Sequence, residues 1–243
     1  MTAKHLAKTW GVLTAMVMIV VAGILISSPR VQAHDDNDRE RDQDRNRNDP
    51  RIERGFDVAP VPLNLEGKNR ALVGLGSYLV NVVASCNDCH SAGTATQYAP
   101  GGNPYFSQPK MVNAATYLGG GRDFGQFPAV APAFPHIISR NLTPDKNGRP
   151  EGGHTFEEFR QIMRTGADMD HIHPNCSATV TTNCLPPPFD GDLLQIMPWP
   201  TYQGLTDHDL RAIYEYLSAV PCIDNTTSTP PAGAPNELRN NCD

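Results

Sequence analysis

The chain has 243 residues, enough for one domain of ordinary size with extensions. With 26 acidic against 20 basic residues its formal net charge is −6, a balance that argues against nucleic-acid binding and suits a partner with a basic docking face.

Residues 1–33 read as a signal peptide. Lys4 and Lys8 give a positive start, Trp10 to Ile26 is apolar, Ser27, Ser28 and Pro29 break the run, and Val31-Gln32-Ala33 is a small-residue cleavage site. The alternative is an uncleaved N-terminal membrane anchor, for which the apolar run is at the short end. Cleavage removes Lys4, Lys8 and Arg30 and no acid, deepening the charge from −6 to −9. Residues 34–55 are read as a disordered charged linker. From His34 to Arg54 the one apolar residue is Ile52, too little to offset the entropy of ordering the backbone. A metal-binding tail built on its acids is the other reading, but the charges alternate rather than cluster, which favours a solvated tether. Residues 56–225 are read as the folded domain.

Lys68 to Ser85 is expected to be a helix, with Leu72, Leu75, Leu79, Val82 and Cys86 on one face. Gly74 and Gly76 weaken it by about 1 kcal/mol each against Ala, and are read as points where another backbone comes close. The helix runs into Cys86-Asn87-Asp88-Cys89-His90, the C-x-x-C-H signature of c-type haem attachment. Each thiol of such a motif forms a thioether with one haem vinyl group, and the histidine ligates the iron. The spacing predicts one covalent haem c, bound through Cys86 and Cys89, with His90 as an axial ligand. A thioredoxin-like pair would need a βαβ setting, and a zinc site two more ligands nearby. Neither is visible.

About 70 residues of irregular chain follow. Loops that long in a compact domain usually have a task, and wrapping a haem is one. Gly119 to Gly125 is Gly-rich but does not open a helix after a strand, so it is no phosphate loop. Asp145-Lys146-Asn147-Gly148 begins like a calcium loop, but Pro150 stands where glycine is needed. Phe156 to Thr165 is a helix with Thr155 and Glu158 as capping box, Phe156, Phe159 and Met163 on one face and Gly166 at its end. Asp207 to Ala219 is the last helix. Thr206 and Asp209 resemble a capping box, Leu205 and Leu210 form a staple, and Leu210, Ile213, Tyr214 and Leu217 make the buried face, with Pro221 beyond. No segment alternates for long, so little sheet is expected.

An iron held by His90 takes a sixth ligand or leaves the position open. The methionines past the motif are Met111, Met163, Met169 and Met197. Met163 is most simply core, and Met111 and Met169 lack a distinctive setting. Met197 precedes Pro198-Trp199-Pro200, a stiff stretch just before the last helix. His171 and His173 compete, as a second haem ligand or a separate metal site, against the plain reading of two polar loop histidines. Outside the motif, Cys176, Cys184, Cys222 and Cys242 allow three pairings. Short loops close most readily, so Cys176–Cys184 and Cys222–Cys242 are expected. The second would tie residues 226–243, a C-terminal tail, back to the domain.

On these residues the chain resembles class I cytochromes c, and most of all the cytochrome c subunits of bacterial membrane-linked alcohol, aldehyde and sugar dehydrogenases. The matching pieces are Gly76-Ser77-Tyr78-Leu79 leading into the haem motif, Asn141-Leu142-Thr143-Pro144-Asp145, Thr155-Phe156 through Arg164-Thr165-Gly166, Met197-Pro198-Trp199, and Leu205 through Leu217. The resemblance implies an all-α cytochrome c fold with long haem-wrapping loops, in which a small residue of the first helix, Gly74 or Gly76, faces Tyr214, Tyr216 and Leu217. It also implies His90 and Met197 as the axial pair. Two departures stand out: those subunits usually carry three haem motifs where this chain carries one, and residues 168–196 are longer than the usual link, read here as a stapled insertion near the haem edge. The expectation is a periplasmic electron carrier, not an enzyme, working between a dehydrogenase or respiratory complex and a terminal acceptor, with membrane association through the N-terminus if the leader is retained. The rivals are a peroxidase-like haem enzyme and a haem-based sensor, both requiring an open sixth site.

Overall fold

A computed structural model describes residues 49–92, 96–129, 134–225 and 242–243. The expected leader, residues 34–48 of the charged linker and residues 226–241 of the tail lie outside the described residues.

The linker ends earlier than its composition suggests. Helix α1, Pro50–Val58, is capped by the Asp49 carboxylate, which accepts from the Arg51 amide at 2.9 Å, and Pro50 fills the first helical position, where no amide is needed. Ile52, Gly55 and Phe56 fall at helical spacing and form a stripe that packs on the next helix. Residues 50–55 therefore belong to the folded domain, because a sparse apolar stripe has found a partner. Helix α2, Arg70–Tyr78, opens on Asn69, whose side chain accepts from the amides of Ala71 and Leu72. The two helices touch backbone to backbone. A Cβ on Gly55 would strike the Gly74 carbonyl, and one on Gly74 the Ile52 carbonyl.

The predicted 68–85 helix does not run through unchanged: after Tyr78 it widens into a π-turn, Leu79–Val83. The wider turn changes which side chains face inward. Val80 is fully buried, whereas Val82 of the expected face is 46% exposed. It also aims Asn81 at two buried tyrosines. Asn81 Nδ2 donates to the Tyr216 hydroxyl at 3.1 Å, the Tyr117 hydroxyl donates to Asn81 Oδ1 at 2.6 Å, and the two hydroxyls are 2.8 Å apart. Satisfied polar groups in so dry a place hold one arrangement.

A single helical turn, α3 (Cys86–Cys89), carries the haem-motif cysteines. Strands β1 (Asp123–Gln126) and β2 (His136–Ile138) pair antiparallel, with Asp123 opposite Ile138 and a register irregularity before Gln126. The expected all-α class thus becomes mostly helical with a small two-stranded sheet. Strands of four and three residues are too short to show alternation in sequence. Turn α4 (Pro150–Gly153) precedes α5 (Phe156–Thr165), which has its Thr155–Glu158 capping box and the left-handed Gly166 at its end. Turn α6 (Trp199–Tyr202) leads to α7 (Asp207–Leu217), again with both halves of a capping box, Thr206 and Asp209. The α7 face is Leu210, Ile213, Tyr216 and Leu217, all buried, with Tyr214 at its edge.

Helix α2 meets α7 at Gly76, where an added Cβ would strike the Ala212 carbonyl and the Tyr216 side chain. Of the two glycines, Gly76 serves this crossing and Gly74 serves α1. The bonds Cys176–Cys184 and Cys222–Cys242 are both present.

Candidate functional site

The haem motif is held from several sides. The Asn87 side chain accepts from the Leu118 amide at 2.9 Å, and the Arg122 guanidinium donates to the Asp88 carbonyl. The His90 carbonyl accepts from the Gly120 amide at 2.9 Å. Gly120, with φ of +68°, passes so close to Arg140 that a Cβ would overlap that residue's carbonyl carbon. This is the task of the Gly-rich segment: it lets the chain run between His90 and Arg140. His90 Nδ1 lies 2.8 Å from the Arg140 carbonyl oxygen. A carbonyl only accepts, so Nδ1 carries the proton and Nε2 keeps its lone pair for another partner. Burial pushes the His90 pKa down, which keeps the ring neutral and ligand-competent. Cys86 and Cys89 are free thiols, and burial pushes the Cys86 thiol up to about 12.

These residues border a cavity of about 1230 Å³, its open mouth included. Apolar side chains from distant segments line it, among them Phe124, Ile138, Leu142, Met163, Ile213 and Leu217. Met197 lines it too, together with Leu193 and Leu194. The Met197 loop is fixed by short bonds. The Met197 amide donates to Gln195 O at 2.7 Å, the Trp199 amide to Met197 O at 2.9 Å, and Trp199 Nε1 to Leu194 O at 3.2 Å. Ile196, just before the methionine, has φ of +68°, a strained conformation for a β-branched residue.

The loop is fastened to the end of α5 at Gly166. That residue accepts from the Leu194 amide at 2.7 Å, has φ of +72° and lies directly under the Trp199 indole, with no space for a Cβ. Gly166→Ala is expected to cost roughly 2–4 kcal/mol, from the left-handed backbone and from overpacking. Gly166→Asn tolerates the backbone geometry and still collides with Trp199. Urea denaturation should find both variants destabilised. Full stability of the asparagine variant would mean that the indole contact is unimportant.

One wall of the cavity is charged. Arg140, which gives His90 its carbonyl, pairs through its guanidinium with Asp168 at 2.5 Å and Asp170 at 3.3 Å. Burial opposes the Asp168 charge, but the guanidinium beside it holds its pKa below the usual range. Glu151 and His173 line the same wall, both buried.

The cavity thus brings together Cys86, Cys89, His90 and Met197. Met111 is exposed, and Met169 is half-buried away from it. The two histidines read as polar loop residues differ. His171 is exposed and pairs with Asp192, whereas His173 is buried in the cavity wall because its segment folds inward. Residues 168–196 accordingly form part of the cavity rather than an appendage, with Leu185 beside the Cys176–Cys184 bond buried against it. Sequence reasoning does not single out Arg140, Glu151 or Asp168. The available hint is that Arg140 directly precedes the Asn141-Leu142-Thr143 stretch. The residues suit a covalent haem: two thiols beside an apolar cavity, an imidazole with its outer nitrogen free, and a thioether sulfur from another segment.

The chain is similar to cytochrome subunits of bacterial dehydrogenases. It is 24% identical over 164 residues to the fructose dehydrogenase cytochrome subunit of Gluconobacter japonicus, covering 68% of this chain and 24% of that protein. It is 26% identical over 151 residues to the gluconate 2-dehydrogenase cytochrome c subunit of Pantoea cypripedii, covering 61% of this chain and 23% of that one. The chain spans about a quarter of the length of these curated relatives. No family model and no solved structure matches it.

Proposed function

We propose that this chain is a periplasmic c-type cytochrome that binds one haem through Cys86 and Cys89 and passes single electrons between a dehydrogenase or respiratory donor and an acceptor. The observation that carries the reading is the single cavity lined by both motif cysteines, His90 and Met197. Similarity to two dehydrogenase cytochrome subunits supports a dehydrogenase partner. When bound, the haem supplies one-electron chemistry at its iron, and methionine ligation raises the potential. The chain's own part is to hold it. Cys86 and Cys89 would anchor the haem, His90 would bind its iron through Nε2 with the tautomer set by the Arg140 carbonyl, and Met197, on a loop clamped by Trp199, would supply the second iron ligand. Iron held by both residues would leave no open site, which would favour a carrier over a peroxidase-like enzyme or sensor. Export rests on the expected leader; among the described residues no helix is long and apolar enough to cross a membrane.

Intact mass of the mature protein is expected to exceed that of the apoprotein by one haem, retained through acid–acetone extraction. The ferrous protein should ignore carbon monoxide, and the oxidised protein should show the weak near-infrared band of methionine-ligated iron. Met197→Ala should remove that band, admit carbon monoxide and lower the potential. A band that survives the substitution places the ligand elsewhere, and His173 is the cavity residue to replace next. Haem lost to the solvent would sink the proposal.

A further inference from the structure

Around the Arg140 guanidinium stand three carboxylates: Asp168, Asp170 and Glu151. The first two make the ion pairs. Glu151 makes none with Arg140, and its Oε2 is buried without a hydrogen bond. It is only 5% exposed and lines the same cavity as His90 and Met197. An ionised carboxylate in such a place needs a partner or a proton. Its backbone is also held in a conformation that costs free energy, with φ 54° and ψ 55° for a non-glycine residue. The turn is closed by the His154 amide donating to Pro150 O at 3.1 Å, and His154 Nδ1 lies 2.5 Å from the Glu151 carbonyl. This geometry keeps the side chain against the cavity wall.

We propose that Glu151 is a redox-linked proton site: the protein takes up one proton at the Glu151 carboxylate when it takes up one electron at the cavity. The inference rests on the haem reading above. The groups that face Glu151 are Arg140 from the loop after β2, Asp168 and Asp170 from the loop after α5, and His154 from the end of its own turn, with His173 in the same wall. Burial pushes the Glu151 carboxyl up; His154 and Arg140 oppose this, and Asp170 and Asp168 reinforce it. The balance leaves the proton affinity open to one further nearby charge. An electron arriving in the cavity adds negative charge in a poorly screened space and tightens the proton's hold. The electron comes from the redox partner and the proton from bulk water. An O–H bond forms at the carboxylate on reduction and breaks on reoxidation, when electron and proton both leave. The protein would then move charge with partial neutralisation, and its driving force would depend on pH.

The sign is fixed by the higher affinity of the reduced form for the proton. The midpoint potential must fall as pH rises between the Glu151 pKa of the oxidised protein and that of the reduced protein, and be flat on either side. The limiting fall is about 59 mV per pH unit, the shift that a tenfold change in equilibrium gives a one-electron couple.

The test is a mediated redox titration of the holoprotein across pH 5–9, for the wild type, Glu151→Gln and Glu157→Gln. Glu157 is an exposed acid on α5 and serves as control. Mass and absorption spectra establish the haem first, so loss of haem counts against the cytochrome reading and not against the role of Glu151. The expected result is a pH-dependent potential in the wild type and Glu157→Gln and a flat one in Glu151→Gln. A flat wild type, or a slope that persists in Glu151→Gln, overturns the proposal and, in the second case, assigns the proton to the histidines or the haem carboxylates. If Glu151→Gln does not fold, redox-induced infrared difference spectra of the wild type decide. Gain on reduction of a protonated-carboxyl band that does not shift when the haem carboxylates carry a carbon-13 label supports the proposal, and absence of such a band overturns it.

Discussion

Gly76→Val is expected to leave little folded protein at 25 °C. At Gly76 the α2 backbone lies against α7, and the groups an added side chain would meet are the Ala212 carbonyl and the Tyr216 Cβ. Backbone cannot rotate aside as a flexible side-chain tip can. The helices must separate, which exposes Val73, Leu75 and Val80 on one side and Leu210, Ile213 and Leu217 on the other, all buried now. It also pulls Tyr216 away from Asn81 and Tyr117, taking both of these partners from the Tyr216 hydroxyl. Effects of this kind exceed about 4 kcal/mol, against a total stability of about 5–15 kcal/mol for a domain. Gly67→Ala provides the contrast. Gly67, unlike the helical Gly76, has a positive φ, +68°, but no atom lies near its missing Cβ, so the cost is about 1–2 kcal/mol of backbone strain alone. Thermal unfolding followed by circular dichroism should separate the two variants widely. Similar midpoints would mean that the crossing can open without loss.

His90→Ala is the second large effect, and it falls on the cofactor. The substitution removes the proposed iron ligand and leaves the Arg140 carbonyl without the Nδ1 donor that now meets it at 2.8 Å. Both thiols remain, so attachment chemistry is still available, but nothing on that side holds the iron. The expected yield of stable haem-containing protein is at least tenfold below wild type, read from haem absorbance per unit of intact-mass signal. Met197→Ala should behave differently, keeping the proposed haem while opening the iron to a new ligand, because a methionine would be the weaker of the two proposed anchors. Equal yields for His90→Ala and wild type would remove His90 from the site.

How much of this is legible in the sequence depends on how far apart the cooperating residues lie. The capping boxes Thr155–Glu158 and Thr206–Asp209 are local, and the structure contains both. Helix α1 is not legible from composition, since the charged run ahead of it dilutes a stripe whose partner, Gly74, is remote in the chain. The exchange of Val82 for Val80 at the core follows from the π-turn, and a helical period of 3.6 cannot anticipate it. The charged wall is the most hidden feature. Arg140 comes from the loop after β2, Glu151 from turn α4, and Asp168 and His173 from the loop after α5, and each alone reads as an ordinary polar residue.

The meeting of Asn81 with Tyr216 joins positions 135 residues apart. A contact that distant cannot form until nearly the whole domain has been synthesised, and its loop entropy must be met before any contact rewards it. Until α7 exists, the face of α2 that receives it has nothing to cover it, and the cavity beside Cys86 and Cys89 lacks the wall that Ile213 and Leu217 supply. The order of synthesis therefore leaves that side of the cavity open until the last helix docks. Shortening that period, for instance by circular permutation that places α7 ahead of α2, should favour folded protein that has not acquired the proposed haem.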